Sequence, residues 1–189
     1  MKVGILAMQG DYDAHRSVLE RLGVNSILVQ RPEQLDQVAG LIIPGGESST
    51  FLKLLSEREF FENLKTFVSR RPALGTCAGA ILLAKEVVGP QQLSLGALDV
   101  RIRRNAYGRQ IHSSIRKGLV NGRSFEMVFI RAPKIERSGD GVEVLGTEGD
   151  DAVLVREGKV MAATFHPELA DDPRVHEAFL ELITNSGSA

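Results

Sequence analysis

The segment Leu74-Gly75-Thr76-Cys77-Ala78-Gly79-Ala80 constrains this chain most. It places the only cysteine of 189 residues in a Gly-x-Cys-x-Gly frame, between an apolar run and a helix-like run. Such a frame suits a strand that ends in a strained turn and lifts a nucleophile above its sheet. Glycine and small neighbours then avoid a clash where the next helix folds back. The pattern predicts a strand over 73–75 and a helix over 78–85. A sulfur at the start of a helix faces unpaired backbone N–H groups and the positive end of the helix dipole, which favour the thiolate. The segment suits nucleophilic attack, although a small core cysteine fits the same residues, because free Cys buries readily.

A second segment favours the reactive reading. Val160-Met161-Ala162-Ala163-Thr164-Phe165-His166-Pro167-Glu168 is an apolar strand that delivers a His and a Glu into a Pro-stiffened turn. Imidazole takes up and returns a proton near neutral pH. A carboxylate on its other ring nitrogen would fix the tautomer and stabilise the imidazolium, as the third member of a Ser/His/Asp triad does. Taken alone, Glu168 could simply solvate a loop; beside the cysteine frame, the pair reads as chemistry.

The Pro44-Gly45-Gly46-Glu47-Ser48-Ser49 loop is the third element. Consecutive glycines let a backbone approach a ligand and aim N–H groups into a cavity, as an oxyanion hole requires. The same residues also read as a Gly-Gly turn followed by a Ser helix N-cap, and both readings can hold. No Lys-Ser/Thr pair closes a Walker phosphate loop.

Short apolar runs alternate with amphipathic stretches, as in parallel α/β units. Strands are predicted over 2–7, 25–29 and 40–43, and a helix over 12–22 with Val18, Leu19 and Leu22 on one face. Helical spacing recurs over 51–55 and 60–68. From 98 to 129 the pattern predicts short, partly antiparallel strands, and 152–156 with 159–164 reads as a hairpin around Glu157-Gly158. A last helix is expected over 173–184, followed by a frayed tail over 185–189. Doubly wound sheets hold ligands beyond the carboxyl ends of their strands, so Gln9-Gly10, Pro44 to Ser49 and Cys77 should share one crevice.

Composition sets the limits. Hydrophobic residues at 43% and charged residues at 25% suit one globular domain spanning 1–189. A net charge of −1 with no basic tract argues against nucleic acid as the partner. One cysteine excludes an intramolecular disulfide framework and a Cys-rich zinc site, and fits a reducing cytoplasm. The apolar start at 2–7 is too short for a signal peptide or a membrane span. No cofactor or metal is expected.

Gly75-Thr76-Cys77-Ala78-Gly79, Phe165-His166-Pro167-Glu168 and Pro44-Gly45-Gly46-Glu47-Ser48 together resemble class I (triad) glutamine amidotransferases, which hydrolyse glutamine and release ammonia. More narrowly, Leu6-Ala7-Met8-Gln9-Gly10-Asp11, Arg104-Asn105-Ala106-Tyr107-Gly108-Arg109-Gln110 and Phe129-Ile130-Arg131-Ala132-Pro133 are similar to the PdxT/SNO family, the glutaminase subunits of pyridoxal 5′-phosphate synthase. The resemblance spans nearly the whole chain. It implies a three-layer α/β/α flavodoxin-like domain with a mostly parallel central sheet and a short antiparallel insertion.

The resemblance also implies roles. Cys77 would be the nucleophile, His166 the general base and acid, and Glu168 the orienting carboxylate. Gly46, Glu47 and Ser48 would line the glutamine site, with Arg104, Ile130 and Arg131 completing it. Free glutamine carries an α-carboxylate and an α-ammonium, which an Arg and a Glu can recognise by charge-assisted hydrogen bonds. Backbone N–H groups of Gly46 and Ala78 would hold the oxyanion. The implied partners are L-glutamine and a (β/α)₈-barrel synthase subunit, in a hetero-oligomer whose dodecameric core is decorated by glutaminase subunits. The rim at Gln9-Gly10-Asp11 and the following helix is the expected contact.

The chain departs from the family pattern after Arg109-Gln110. An apolar residue, Asp, Ser and Phe usually follow, whereas this sequence has Ile111-His112-Ser113-Ser114, and the stretch to Glu126 is also atypical. His112 sits in the wrong motif for a catalytic residue. His15 and His176, in predicted helices, are expected on the surface, and Arg101, Arg103 and Arg109 read as a solvated basic face as readily as ligand contacts. Another hydrolase on this fold would share the cysteine frame without needing Glu47 and Arg104; a non-catalytic regulatory subunit would have lost the triad.

Overall fold

Strand β1 (Lys2–Leu6) buries Val3 and Ile5 on one side and Gly4 and Leu6 on the other. Side chains alternate along a strand, so burial on both faces requires a sheet covered on both sides. The computed structural model of the chain describes residues 1–57, 60–104, 106 and 113–187. His112, Arg109 and most of the Asn105–Gln110 segment lie outside the described residues, as do 188 and 189.

Parallel strands β1, β2 (Asn25–Val29), β3 (Gly40–Ile43), β4 (Ala73–Thr76) and β12 (Val160–Ala163) stand in the order β2-β1-β3-β4-β12. Four antiparallel strands continue this sheet: β11 (Asp151–Glu157), β10 (Glu143–Glu148), β7 (Ser114–Val120) and β8 (Arg123–Phe129). A second sheet joins β5 (Ala84–Val88), β6 (Leu98–Arg103) and β9 (Lys134–Ser138). The order β2-β1-β3-β4 is that of flavodoxin-like folds, whose ligand crevice opens where the direction of winding reverses, between β1 and β3.

Helices complete the three layers. Helices α1 (Tyr12–Arg21) and α5 (Arg174–Ser186) pack Leu19, Val175, Phe179 and Ile183 against Val3, Ile5, Ile42 and Leu74. On the other face, α2 (Ser48–Glu57) and α3 (Phe61–Arg70) pack Phe51, Leu55, Leu64 and Phe67 against Leu6, Leu41 and Ile43. The three-layer expectation holds, and so does the hairpin of β11 and β12.

Three local expectations fail. The helix after Cys77, α4 (Ala78–Leu83), ends earlier than expected, because Ala84 begins β5, which pairs with β6. The tail expected to fray from 185 remains helical to Ser186, since Ile183 anchors the last turns in the core. His15 and His176, expected on the surface, are fully buried. Each lies on the apolar stripe of its helix, His15 with Val18 and Leu19 and His176 with Phe179 and Ile183. Across the layer, His15 Nδ1 and His176 Nε2 meet at 2.9 Å.

Two buried imidazoles make the fold sensitive to acid. Burial, with the charges of His176 and His166 adding to it, holds His15 well below its ordinary value. Burial, helped by Arg21, brings His176 from 6.5 down to about 4. Below pH 6.5 the unfolded chain takes up a proton that the folded His176 refuses until about pH 4, so stability rises with pH across this window. His176 alone accounts for about 3 kcal/mol between the two limits. Urea denaturation at pH 7 and pH 4.5 should show the loss. In His176→Leu the pH dependence should flatten by up to about 1.4 kcal/mol per pH unit within the window.

Candidate active site

β4 delivers Cys77 into a turn with φ 48° and ψ −103°, a left-handed conformation that costs a side-chain-bearing residue roughly 1–3 kcal/mol. Neighbours hold it there. The Cys77 N–H donates to the Ala163 carbonyl on β12 at 2.8 Å, and the Cys77 carbonyl accepts from Ile81 N–H at 3.2 Å. The flanking glycines are steric necessities: a Cβ on Gly79 would lie 2.0 Å from the Ile43 carbonyl oxygen, and one on Gly75 would lie 2.5 Å from the Gly79 backbone. Only glycine lets α4 pack this tightly over β3 and β4. The thiol is buried, with Sγ 3.8 Å from the Ile130 carbonyl oxygen.

β12 runs parallel to β4, and the turn after it carries His166 to the same rim. Its Nδ1 lies 2.7 Å from Glu168 Oε1, and Cys77 hydrogen-bonds the same imidazole. Burial works against the imidazolium, but the hydrogen bonds and charges of Cys77 and Glu168 outweigh it and push the His166 pKa up to about 10. At neutral pH, His166 holds its proton between two partners. The Glu168 carboxylate is fully buried, and its second oxygen, Oε2, lies 3.3 Å from His15 Nε2.

The glycine loop closes the site from the β3 side. A Cβ on Gly45 would lie 2.5 Å from His166 Cε1 and 3.3 Å from Cys77 Cβ, so the backbone there fills the space beside the reacting groups. Gln9 clamps the loop: its Nε2 donates to the Glu47 carbonyl at 3.0 Å and its Oε1 accepts from Glu47 N–H at 3.1 Å. The Glu47 carboxylate caps α2, accepting from the Ser49 and Thr50 N–H groups at 3.0 and 2.7 Å and from the Thr50 hydroxyl at 2.8 Å. The helix cap expected from Ser is thus supplied by Glu47. Slight burial opposes its charge, yet these donors hold the carboxyl down to about 2. Arg104 Nη2 reaches Ser49 Oγ at 3.0 Å and Glu47 Oε1 at 3.4 Å.

A cavity of about 590 Å³ opens over these groups, lined by Gly46, Glu47, Ser48, Cys77, Arg104, Ile130, Arg131 and His166 among others. Of the residues expected to catalyse, hold the oxyanion or bind glutamine, Glu168 stands behind His166 and Ala78 begins α4 next to the sulfur; the others line the cavity. Arg101 and Arg103 do not line it; both pair with Glu136. Sequence reading passed over the Gln9 clamp and the buried layer of Thr76, His15 and His176. The spacing of His15 and His176 on apolar stripes was the available signal. Among the described residues, no group of three or more His, Cys, Asp or Glu is arranged to hold a metal ion.

The chain is similar to known proteins along nearly its whole length. The sequence profile of the SNO glutamine amidotransferase family matches residues 5–185. The chain is 60% identical to pyridoxal 5′-phosphate synthase subunit PdxT of Koribacter versatilis, over all of this chain and 98% of that protein. It is 47% identical to the subunit of the same name from Thermosipho africanus, over 97% of this chain and 99% of that one. A crystal structure of a glutamine amidotransferase superposes with a TM-score of 0.90 at 49% identity, covering 96% of this chain and 98% of the other.

The arrangement around His166 predicts its titration. Histidine NMR should place the midpoint near 10 in the intact protein. In Glu168→Gln, which removes the charge, the midpoint should fall by at least about one unit. An unchanged midpoint would separate Glu168 from the imidazole.

Proposed function

The chain belongs to the SNO glutamine amidotransferase family, and from that premise we propose that it hydrolyses L-glutamine to L-glutamate and ammonia and passes the ammonia to a pyridoxal 5′-phosphate synthase. The observation that carries this reading is the convergence, on one cavity, of a sulfur at a left-handed turn, an imidazole bonded to a buried carboxylate, and a Glu–Arg pair at the rim.

In this reading Cys77 Sγ attacks the side-chain amide carbon of glutamine. A C–S bond forms and an electron pair moves to the amide oxygen, which the N–H groups of Gly46 and Ala78 receive. The oxyanion collapses, the C–N bond breaks, and His166 gives its proton to the departing nitrogen. Ammonia leaves, and a γ-glutamyl thioester remains. The now neutral His166 takes a proton from water, whose oxygen attacks the thioester carbon. Expulsion of the sulfur yields glutamate and restores the pair of Cys77 and imidazolium. Glu168 holds the ring on line throughout. Arg104, the less exposed member of the rim pair, takes the α-carboxylate of glutamine, and Glu47 takes the α-ammonium. Ser48, Ile130 and Arg131 complete the wall.

Ammonia released into neutral water is protonated and ceases to be a nucleophile, so it must pass directly to its consumer. The relatives are named as subunits of a pyridoxal 5′-phosphate synthase. The (β/α)₈-barrel architecture, the decorated dodecamer and a cytoplasmic location are the finer parts of this proposal. No helix of the described residues is long and apolar enough to cross a membrane. We place the docking face at Gln9-Gly10-Asp11 and α1, where Asp11 and Arg16 are exposed. Gln9 bonds both backbone polar groups of Glu47, so contact at this rim reaches the oxyanion loop directly.

Cys77→Ala should lower glutamine hydrolysis below about a hundredth of the wild-type rate, since general acid–base help alone supplies on the order of 10²–10⁴. Arg104→Ala should raise KM for glutamine roughly 10- to 100-fold, the worth of one charge-assisted hydrogen bond, while Cys77 still reacts with a small alkylating agent. An unchanged KM would remove Arg104 from recognition. Ammonia release should rise when the synthase subunit is added, and charge reversal at Asp11 or Arg16 should reduce that stimulation more than basal turnover. Full turnover by the isolated chain would defeat the gating.

A further inference from the structure

Beneath the site lies a chain of buried polar groups that the mechanism above leaves unused. Glu168 Oε1 is committed to His166, whereas Oε2 has no well-aligned hydrogen-bond partner among the described residues. His15 Nε2 lies 3.3 Å from it and 3.2 Å from Thr76 Oγ1, on the residue preceding Cys77. His15 Nδ1 in turn meets His176 Nε2 at 2.9 Å. His15, Thr76, Glu168 and His176 are all buried.

The protons in this chain can be placed by elimination. If His15 carried its proton on Nδ1, the bare Nε2 lone pair would face a carboxylate oxygen at 3.3 Å. His176 would then accept at Nε2 and hold its proton on Nδ1, which has no partner among the described residues. That is a repulsive contact plus an orphaned buried donor, the costlier kind of unpaired group. With the proton on His15 Nε2, the N–H is hydrogen-bonded to Thr76 Oγ1 and its positive end lies beside Glu168 Oε2 at 3.3 Å, and His176 Nε2–H donates to His15 Nδ1. Only an acceptor lone pair on His176 Nδ1 is then left over. Both rings remain neutral, in keeping with their lowered pKa values.

We propose that His15 is a positioning residue for the reaction: its Nε2–H, held in that tautomer by His176, fixes the Glu168 carboxylate so that Oε1 stays on His166 Nδ1. The inference rests on the reading of Cys77, His166 and Glu168 as the glutamine-hydrolysing triad. A carboxylate held by one oxygen alone can swing about its last side-chain torsion, which is broad and weakly restrained. With the polar N–H of His15 beside its second oxygen the swing is opposed, and His166 keeps the ring angle that proton transfer to the departing nitrogen requires. Outer partners of this kind are worth about 10–100-fold in metal sites that use a carboxylate–imidazole pair, and a similar factor is expected here.

The test uses the complete chain and glutamine hydrolysis, read as glutamate release. His15→Leu should lower kcat about 10- to 100-fold with KM within about twofold of wild type, because the substrate rim is untouched. His15→Gln, whose amide N–H can reach Oε2, should recover most of that loss. The low-field proton resonance of the His166–Glu168 hydrogen bond should shift or broaden in His15→Leu and return in His15→Gln, a signature that a purely packing role would not move. Wild-type kcat in His15→Leu, or equal losses in the Leu and Gln variants, would overturn the proposal. Should His15→Leu fail to fold, long-range ¹H–¹⁵N correlation on the wild-type protein decides: an Nε2–H tautomer of His15 supports the proposal and an Nδ1–H tautomer overturns it. Cys77→Ala, assayed alongside, keeps the two readings apart. Hydrolysis surviving in that variant refutes the triad, whereas its loss with His15 variants fully active refutes only the positioning role.

Discussion

Burial of the Glu168 carboxylate is the constraint from which the layout of the site follows. A carboxylate removed from water costs several kcal/mol unless donors replace the solvent. His166 comes from the same turn, so it can supply one donor at little cost in chain organisation. The group near the other oxygen, His15, comes from α1 at the opposite end of the sequence, and its own partner comes from α5. Both helices also bury Leu19, Val175 and Phe179 against the sheet. The layer that closes the core therefore surrounds the charge beneath the cavity, and packing and chemistry share the same two helices.

Much of this was legible in the sequence. The bounds of β2 and β3 agree with the apolar runs read for them, because strands buried on both faces leave short uninterrupted apolar segments between turn residues. Cys77 and the Gly45-Gly46 loop were legible because close approach admits only glycine, as Gly75 and Gly79 show. The errors share a cause. Ala84 can continue a helix as readily as begin a strand, and only its pairing beside β6 decides. His15 and His176 occupy apolar stripes, yet a histidine on a stripe is buried only where a polar partner waits, and theirs lie 161 residues apart. Local pattern carries no record of such a partner.

On the proposed function, Glu47 serves structure and recognition with one side chain. Its carboxylate satisfies the opening N–H groups of α2, which keeps it anionic and fixes its direction over the cavity. Half exposed, it still has lone pairs for a ligand cation. Arg104 is mostly enclosed and bonds Ser49 and Glu47, so its guanidinium is already oriented when a carboxylate arrives. The pair neutralises itself in the free protein, and an amino acid carrying both charges can join it without leaving either group unpaired. A simple amide, lacking those charges, gains nothing from the rim.

The two sides of the cavity differ in how firmly they are held, and that difference limits where control can act. Cys77, His166 and Glu168 are buried and fixed through β4, β12, α1 and α5, so altering their geometry means disturbing the core. The Gly45–Glu47 loop is held at its outer end by solvent-facing hydrogen bonds from one half-buried side chain, Gln9. Exposed hydrogen bonds of that kind are worth about 1 kcal/mol each. A docking partner can supply differential energy of that size without unfolding anything, and a two-state loop responds only to such a difference. On the proposed function, control by a partner would act at the Gly45–Glu47 loop, while Cys77, His166 and Glu168 stay tied to the core.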